Sequence, residues 1–303
     1  MLSDPYAPHR RLAAASRPGA SPGRIALGAF LVVVAFVAVP DVAALLGLSD
    51  SQIADLQGGT TAPGMLAQLS GYLVPLAMLG GVMRRLHGLP LRTLLGPPEL
   101  AWRQGVAVAL MVFAVLAAQD LLPPWPALGN VAAIRPLGQW LLWLLPGLVL
   151  LLIQTGAEEA FFRGYLQQQL AALSDRPLVW MGLPSLIFGI VHFWNAPGPA
   201  EGVLWAVWAG LLGLACADLA ARGGTLGPAI GLHFANNVAS IIVFGGLGAP
   251  GSGLALILLD VAPQGMASRS VAEVFTPEAL LGLVFIALGN LVVWLAGRLA
   301  LRR

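Results

Sequence analysis

Three short polar motifs interrupt apolar sequence in the second half of the chain. They are Glu158-Glu159-Ala-Phe-Phe-Arg163, Phe188-Gly-Ile-Val-His192 and His233-Phe-Ala-Asn236-Asn237. Ionisable side chains are rare within membrane-spanning segments and are usually functional there, because burying a charge in hydrocarbon is unfavourable. Two carboxylates and two imidazoles in one apolar region can hold a divalent metal or activate a water molecule. Hydrolysis within a membrane is therefore the first hypothesis.

The spacing within the first two motifs places their residues on common helix faces. Glu159 and Arg163 are four residues apart, which predicts an ion pair along one face and leaves Glu158 as the free carboxylate. Phe188 and His192 have the same spacing, so the phenyl ring is expected to wall the imidazole. Each motif thus supplies one reactive group and one supporting group.

The third motif repeats this spacing with His233 and Asn237, whose amide could orient an imidazole or donate to an oxyanion. Other nucleophiles have weaker contexts. Ser185 lacks the surroundings of a nucleophile elbow, and neither Asp218 nor Asp260 lies in a Gly-x-Gly-Asp pattern. All basic residues are arginines, which excludes a Schiff-base lysine and a Ser-Lys dyad.

The helices that carry these motifs can be placed by counting. The helix after Glu158 is expected to run to Ser174 and turn at residues 175–177, so that Glu158 and His192 both lie about 25 Å from this turn. In an antiparallel hairpin they then face each other. His233 enters from the same side, about 15 Å along its helix after the turn at residues 222–224. The three motifs are therefore expected to converge.

Composition defines the fold class. The chain is 58% hydrophobic and only 10% charged, with a mean hydropathy of +0.82, far from a soluble protein. An all-α, polytopic transmembrane helix bundle of about eight spans is predicted. The predicted spans are 25–46, 65–83, 104–122, 137–162, 177–194, 201–220, 226–247 and 279–300.

Arginine placement predicts the orientation, since cytoplasmic loops retain positive charge. Most arginines fall on one side if both termini are cytoplasmic. The absence of lysine and the richness in Ala, Leu, Gly and Arg suggest a bacterial genome, so an integral protein of a bacterial inner membrane is predicted. Residues 1–24 are expected to form a disordered cytoplasmic tail. Residues 25–303 form the integral membrane helical domain, with a protease-like core at about 137–245.

The three motifs, in this order, resemble the CAAX-protease and bacteriocin-processing family of intramembrane proteases, the CPBP or ABI family. Its signature of EExxxR, FxxxH and HxxxN or HxxxD on successive spans corresponds to residues 158–163, 188–192 and 233–237. The resemblance covers about residues 137–245. It implies a type II CAAX prenyl endopeptidase-like enzyme. The catalytic set that it implies is Glu158, His192, His233 and Asn237, and the supporting residues are Glu159, Arg163 and Phe188.

The resemblance implies peptide-bond hydrolysis by an activated water, and two versions stay open. Glu158 is the general base in one version, with His192 polarising the water and His233 and Asn237 stabilising the oxyanion. Glu158, His192 and His233 bind Zn²⁺ in the other, as the family's metalloprotease label implies. No HExxH motif decides between them.

The expected partners are the lipid bilayer and a peptide or membrane-protein substrate, either prenylated as for eukaryotic relatives or linked to bacteriocin processing as for bacterial ones. We expect no nucleic-acid partner. The alternative functions are a non-catalytic membrane scaffold or immunity protein and a small-solute transporter. No inverted repeat is visible in the sequence to favour the transporter.

Overall fold

The computed structural model describes residues 4–121, 130–196, 198–260 and 270–302, which are mainly helical. The α-helices are α1 (Ala7–Ala13), α2 (Pro22–Val37), α3 (Val39–Leu45), α4 (Asp50–Gly58), α5 (Ala62–Gly71), α6 (Leu73–Leu86), α7 (Pro98–Leu121), α8 (Leu137–Glu159), α9 (Gln167–Leu173), α10 (Leu183–His192), α11 (Pro199–Gly223), α12 (Gly227–Asn237) and α13 (Pro277–Leu301). The described π-helical segments are Ala160–Leu166, Leu178–Gly182 and Val238–Val243. The 3₁₀ segments are Ala14–Gly19, Leu91–Leu94, Phe193–Asn195 and Val271–Phe275.

The all-α fold class of a polytopic helix bundle is confirmed. Six helices among the described residues are long and apolar enough to cross a membrane, judged by length and composition. They are Ala62–Leu86, Pro98–Asp120, Leu137–Leu173, Leu178–Asn195, Pro199–Gly223 and Pro277–Leu301. They match every predicted span except the first and the seventh; residue 122, the end of the third, lies outside the described residues.

The first and seventh predicted spans explain why the number is lower than about eight. The first is broken, because α2 ends at Val37 and a new helix, α3, starts at Val39. The segments Ala7–Gly19 and Pro22–Val37 meet at a bend of 100°, and counting this pair as one span raises the number to seven. The seventh is the shorter apolar helix Gly227–Val243.

The N-terminal segment differs from the predicted disordered tail. Of residues 1–24, those from 4 onward are described, and Ala7–Gly19 is helical. His9 is only 1% exposed and stacks on the Trp180 ring at a centroid distance of 4.6 Å. Burial lowers the pKa of His9 to about 4, so the ring is neutral at pH 7. Apolar packing of a neutral ring thus holds a segment whose composition suggested disorder.

A small sheet lies at the opposite end of the bundle. Its strands are β1 (Val131–Ile134), β2 (Phe244–Gly246) and β3 (Ile257–Leu259), in the order β1-β3-β2. β3 pairs antiparallel with β1 and parallel with β2. Because the chain turns into β2 directly after Val238–Val243, the helix that carries His233 ends before it is long enough to span.

The helices that carry the motifs are arranged as the counting predicted. α8 continues through Ala160–Leu166 and α9 to Leu173, and the next helix begins at Leu178 after a short turn. α11 ends at Gly223, and the positive φ of 70° at the following Gly224 allows the tight turn into α12. Gly227 and Gly231 of α12 lie against the backbone of α7, where a Cβ would meet the carbonyl oxygens of Ala101 and Gly105. This close approach fixes α12 in the bundle.

Candidate functional site

The two adjacent glutamates lie where α8 changes into the π-helical segment Ala160–Leu166. π-Helical turns within helices are often found at functional sites. The side chain of Glu159 is 0% exposed, and that of Glu158 is 14% exposed. The two carboxylates therefore have different environments, and Glu158 is the more exposed of the two.

Glu159 is the centre of a buried charged cluster. Its Oε1 accepts a hydrogen bond from Arg163 Nη1 at 2.9 Å, which is the predicted ion pair. The same oxygen lies 2.8 Å from His233 Nδ1. Because a carboxylate only accepts, Nδ1 carries the proton, and the Nε2 of His233 is then directed to Glu158, whose Oε2 lies 3.6 Å away. Glu159 thus orients His233 as well as pairing with Arg163.

Phe188 forms the wall of the site. Its ring centroid lies 4.4 Å from that of His192 and 5.8 Å from that of His233. The guanidinium carbon of Arg163 lies 4.4 Å from the same ring, a favourable cation–π distance. A Cβ on Gly213 would lie 2.7 Å from Arg163 Nη2, so this glycine leaves the space for the guanidinium.

His192 has a defined tautomer. Its Nδ1 lies 2.7 Å from the carbonyl oxygen of Phe188, which can only accept, so Nδ1 carries the proton. The Nε2 of the neutral ring is then a hydrogen-bond acceptor. Glu158 and His233 both act electrostatically on this imidazole, and the ring itself is partly exposed. The hairpin of α8 and α10 thus brings His192 to Glu158, as predicted.

Asn237 is held by a residue outside the motifs. Its Nδ2 donates to Gln154 Oε1 at 3.1 Å, and its Oδ1 accepts from Asn236 Nδ2 at 3.1 Å. Gln154 lies one turn before Glu158 on α8 and is buried. Sequence analysis missed Gln154, although a glutamine in an apolar span, four residues before a candidate base, was a visible signal.

Other candidate nucleophiles lie apart from this cluster. Ser185 Oγ donates to the carbonyl oxygen of Met181 at 2.8 Å. Asp218 accepts from Arg222, Tyr6 and Trp294 at 2.8–2.9 Å. Both side chains are occupied by these hydrogen bonds, and among the described residues neither is bonded to a histidine or to a glutamate. The arrangement gives no support to a serine or an aspartyl mechanism.

The suggested Zn²⁺ ligands are close together but do not form a metal site as they stand. Among the described residues, no group of three or more His, Cys, Asp or Glu side chains is arranged to hold a metal ion. His233 Nδ1 faces Glu159 and His192 Nδ1 faces Phe188, so only the two Nε2 atoms and Glu158 remain as donors. These three donors are of the types found in a catalytic His₂Glu zinc site, but their side chains are not grouped here so as to hold an ion.

Comparison with known proteins agrees with the motifs. Residues 139–239 match the family model described as type II CAAX prenyl endopeptidase Rce1-like. This part of the chain is similar to that family. The uncharacterized protein YyaK of Bacillus subtilis (strain 168) is 28% identical over 230 residues, which covers 69% of this chain and 74% of that protein. No solved structure matches the chain.

The family match covers all three motifs and supports a CAAX-type protease of multi-pass membrane architecture. It does not extend to the N-terminal helices or to α13. Neither comparison supports metallo character or bacteriocin processing. The roles of Glu158, His192, His233 and Asn237, the supporting roles of Glu159, Arg163 and Phe188, and the boundaries of the protease-like core remain predictions.

Proposed function

We propose that the protein is an intramembrane endopeptidase that cleaves a peptide bond with water activated by Glu158. The observation that carries the proposal is the difference in exposure between the two glutamates. Glu159 is fully buried and paired with Arg163, whereas Glu158 is partly exposed and close to two histidines. A carboxylate that is accessible to water beside oriented imidazoles suits general base catalysis.

The proposed reaction assigns one step to each group. Glu158 takes a proton from a water molecule, and the Nε2 of His192 accepts a hydrogen bond from the same water. The resulting hydroxide attacks the carbonyl carbon of the scissile peptide bond. The oxyanion that forms is stabilised by His233 and Asn237.

Two features support the oxyanion assignment. An amide has two N–H donors, and Gln154 uses one of those of Asn237, which leaves the other available. The Nε2 of His233 lies 3.6 Å from Glu158 Oε2, so this ring is next to the carboxylate that would activate the water. Glu158 then returns its proton to the leaving amine, and the tetrahedral intermediate collapses to a carboxylic acid and a free amine.

A version with bound Zn²⁺ is the alternative for the same residues. Glu158, His192 and His233 would be its ligands, and the metal would supply a bound water of lowered pKa. No step above depends on the metal. Metal analysis of an active, purified sample separates the versions: a stoichiometric metal whose removal abolishes turnover would support the zinc version.

The proposed substrate is a peptide or membrane protein presented at the cytoplasmic face of a bacterial inner membrane, and it is prenylated if the family description extends to this chain. The lipid bilayer is the other partner, and no nucleic acid is expected. Both termini are proposed to be cytoplasmic, because this orientation keeps most arginines on that side. The turns at residues 175–177 and 222–224, which adjoin the helices of Glu158 and His233, would then lie on the cytoplasmic side.

The test compares wild type with Glu158→Gln on farnesylated and unmodified quenched peptides in liposomes. We expect Glu158→Gln to lower kcat by about 10²–10⁴-fold, as for loss of a general base. Glu99→Gln is the matched control, since Glu99 is exposed in the first turn of α7. Full activity in Glu158→Gln would refute the assignment. Absence of cleavage by wild type would favour the scaffold function instead.

A further inference from the structure

Tyr72 marks an interruption in the second membrane span. α5 ends at Gly71 and α6 begins at Leu73, although Ala62–Leu86 forms one apolar stretch. Pro75 has no N–H to donate to the carbonyl of Gly71, which is the partner that a continuous helix would require. Tyr72 itself keeps helical φ and ψ angles, so the interruption is one of the hydrogen-bond ladder, as is common next to a proline. The side chain of Tyr72 is a candidate for a functional role.

Packing on both sides of the break places Tyr72 beside the turn of α8 that runs from Gln154 to Glu158. Before the break, Leu69 lies in the same hydrophobic cluster as Leu151 of α8. After it, Leu79 lies in the same cluster as Phe161. Tyr72 lies between Leu69 and Leu79 on its span, and Glu158 lies between Leu151 and Phe161 on the other. Because both pairs have the same offset along the two chains, Tyr72 is level with Gln154 and one helical turn from Glu158, within reach of its long side chain.

The side-chain interactions agree with this placement. The Tyr72 hydroxyl interacts with the Glu158 carboxylate and with the side chain of Gln154. The Tyr72 ring lies against that of Phe36, with centroids 5.3 Å apart. Gln154 in turn accepts from Asn237. One hydroxyl is therefore linked both to the proposed base and, through Gln154, to the proposed oxyanion donor.

Glu158 needs such a partner. Its neighbour Glu159 accepts hydrogen bonds from Arg163 and from the Nδ1 of His233. Glu158 Oε2, in contrast, has no hydrogen-bond partner among the described residues. A neutral hydroxyl can fix a carboxylate without forming an ion pair that would weaken it as a base. A phenol on a separate helix can supply this contact.

We propose that Tyr72 is a positioning residue of the active site, whose hydroxyl donates to the Glu158 carboxylate and directs it towards His192 and His233. This inference rests on the proposed peptidase function. Tyr72 lies outside residues 139–239, so the family match does not assign it. It gives the N-terminal half of the bundle a role in the chemistry of the matched half.

The kinetic test is Tyr72→Phe, which removes the hydroxyl and keeps the ring against Phe36. We expect kcat to fall about tenfold, as for loss of a hydrogen bond to a charged group, with KM unchanged. Tyr165→Phe is the matched control, because its hydroxyl is bound to His87, away from the site, and kcat should be unchanged. In a Glu158→Asp background, where the carboxylate is withdrawn, the added effect of Tyr72→Phe should disappear. An unchanged kcat in Tyr72→Phe would overturn the proposal.

A second measurement is independent of turnover. Unfolding midpoints are compared for wild type, Tyr72→Phe, Glu158→Ala and the double variant. We expect Tyr72→Phe to lower the midpoint in wild type and to have little effect when Glu158 is already alanine. Additive shifts would show that the two side chains do not interact and would overturn the proposal. If wild type cleaves no substrate, the proposed function fails, but this cycle still decides whether Tyr72 holds Glu158.

Discussion

At the residue scale, Glu159 does more than its spacing predicted. The i,i+4 relation with Arg163 could be found from sequence, because partners on one helix depend only on helical geometry. The contact with His233 joins residues 74 positions apart and depends on how α8 and α12 cross. Glu159 therefore links the first motif to the third, and it fixes the imidazole tautomer that the proposed reaction needs.

Arg163 is predicted to be essential for the stability of the site. Arg163→Met would leave the Glu159 carboxylate buried beside His233 without its cation and would remove the cation–π contact with Phe188. Removing one partner of a buried pair is expected to lower the free energy of unfolding by about 3–5 kcal/mol. Thermal unfolding in detergent measures this loss as a lower midpoint.

Two further variants show whether burial of an unpaired charge is the cause. Arg85→Met is the control, because Arg85 is exposed and should tolerate the change. Adding Glu159→Gln to Arg163→Met removes the uncompensated charge and should recover part of the midpoint. Equal midpoints for Arg163→Met and Arg85→Met would contradict a structural role for the buried pair.

At the element scale, the position of His233 depends on the contact between α12 and α7. Gly227 and Gly231 are one turn apart and both lie against α7 backbone, the small-xxx-small pattern of close helix packing. Such packing replaces the hydrophobic effect as a source of helix association within lipid. The loss of a glycine here should displace the histidine without changing any motif residue.

Gly231→Ala is expected to lower both stability and activity. Its Cβ would meet the carbonyl oxygen of Gly105, which is backbone and cannot rotate away. Overpacking of this kind typically costs about 1–3 kcal/mol, and the shift of α12 should reduce kcat. Unfolding midpoints and peptide cleavage measure the two effects. Gly289→Ala in α13 is the control, because its Cβ would meet nothing within 4 Å; similar behaviour of both variants would argue against this packing.

Sequence predicted the elements whose signals are local. The apolar runs predicted all the long spans. The turn at residues 175–177 predicted the hairpin that brings His192 close to Glu158. The break at Tyr72 and the pairing of Gln154 with Asn237 were not predicted, because they depend on which helices are neighbours. The folded N-terminal segment was missed for a related reason: its burial comes from distant surfaces, such as that of Trp180.

At the scale of the whole molecule, the two ends of the bundle are built differently. At one end, the three-stranded sheet is tied to the helices by Trp140, whose Nε1 donates to the carbonyl oxygens of Ile242 and Leu254. At the other, Pro8 packs against Gly224, and the Tyr6 hydroxyl donates to Asp218 at 2.8 Å. The proposed site lies between these ends, so the membrane orientation decides the side from which substrate arrives.

The orientation can be tested with single cysteines, because the natural Cys216 is 1% exposed and is replaced by alanine in the background. Ser51 and Arg92 are both exposed and lie on either side of the span Ala62–Leu86. With both termini cytoplasmic, Ser51→Cys should react with a membrane-impermeant maleimide in intact cells, whereas Arg92→Cys should react only after permeabilisation. The reverse labelling pattern would contradict the orientation that the arginines predict. It would place the turns at residues 175–177 and 222–224 on the external side, and substrate would then have to approach the site from there.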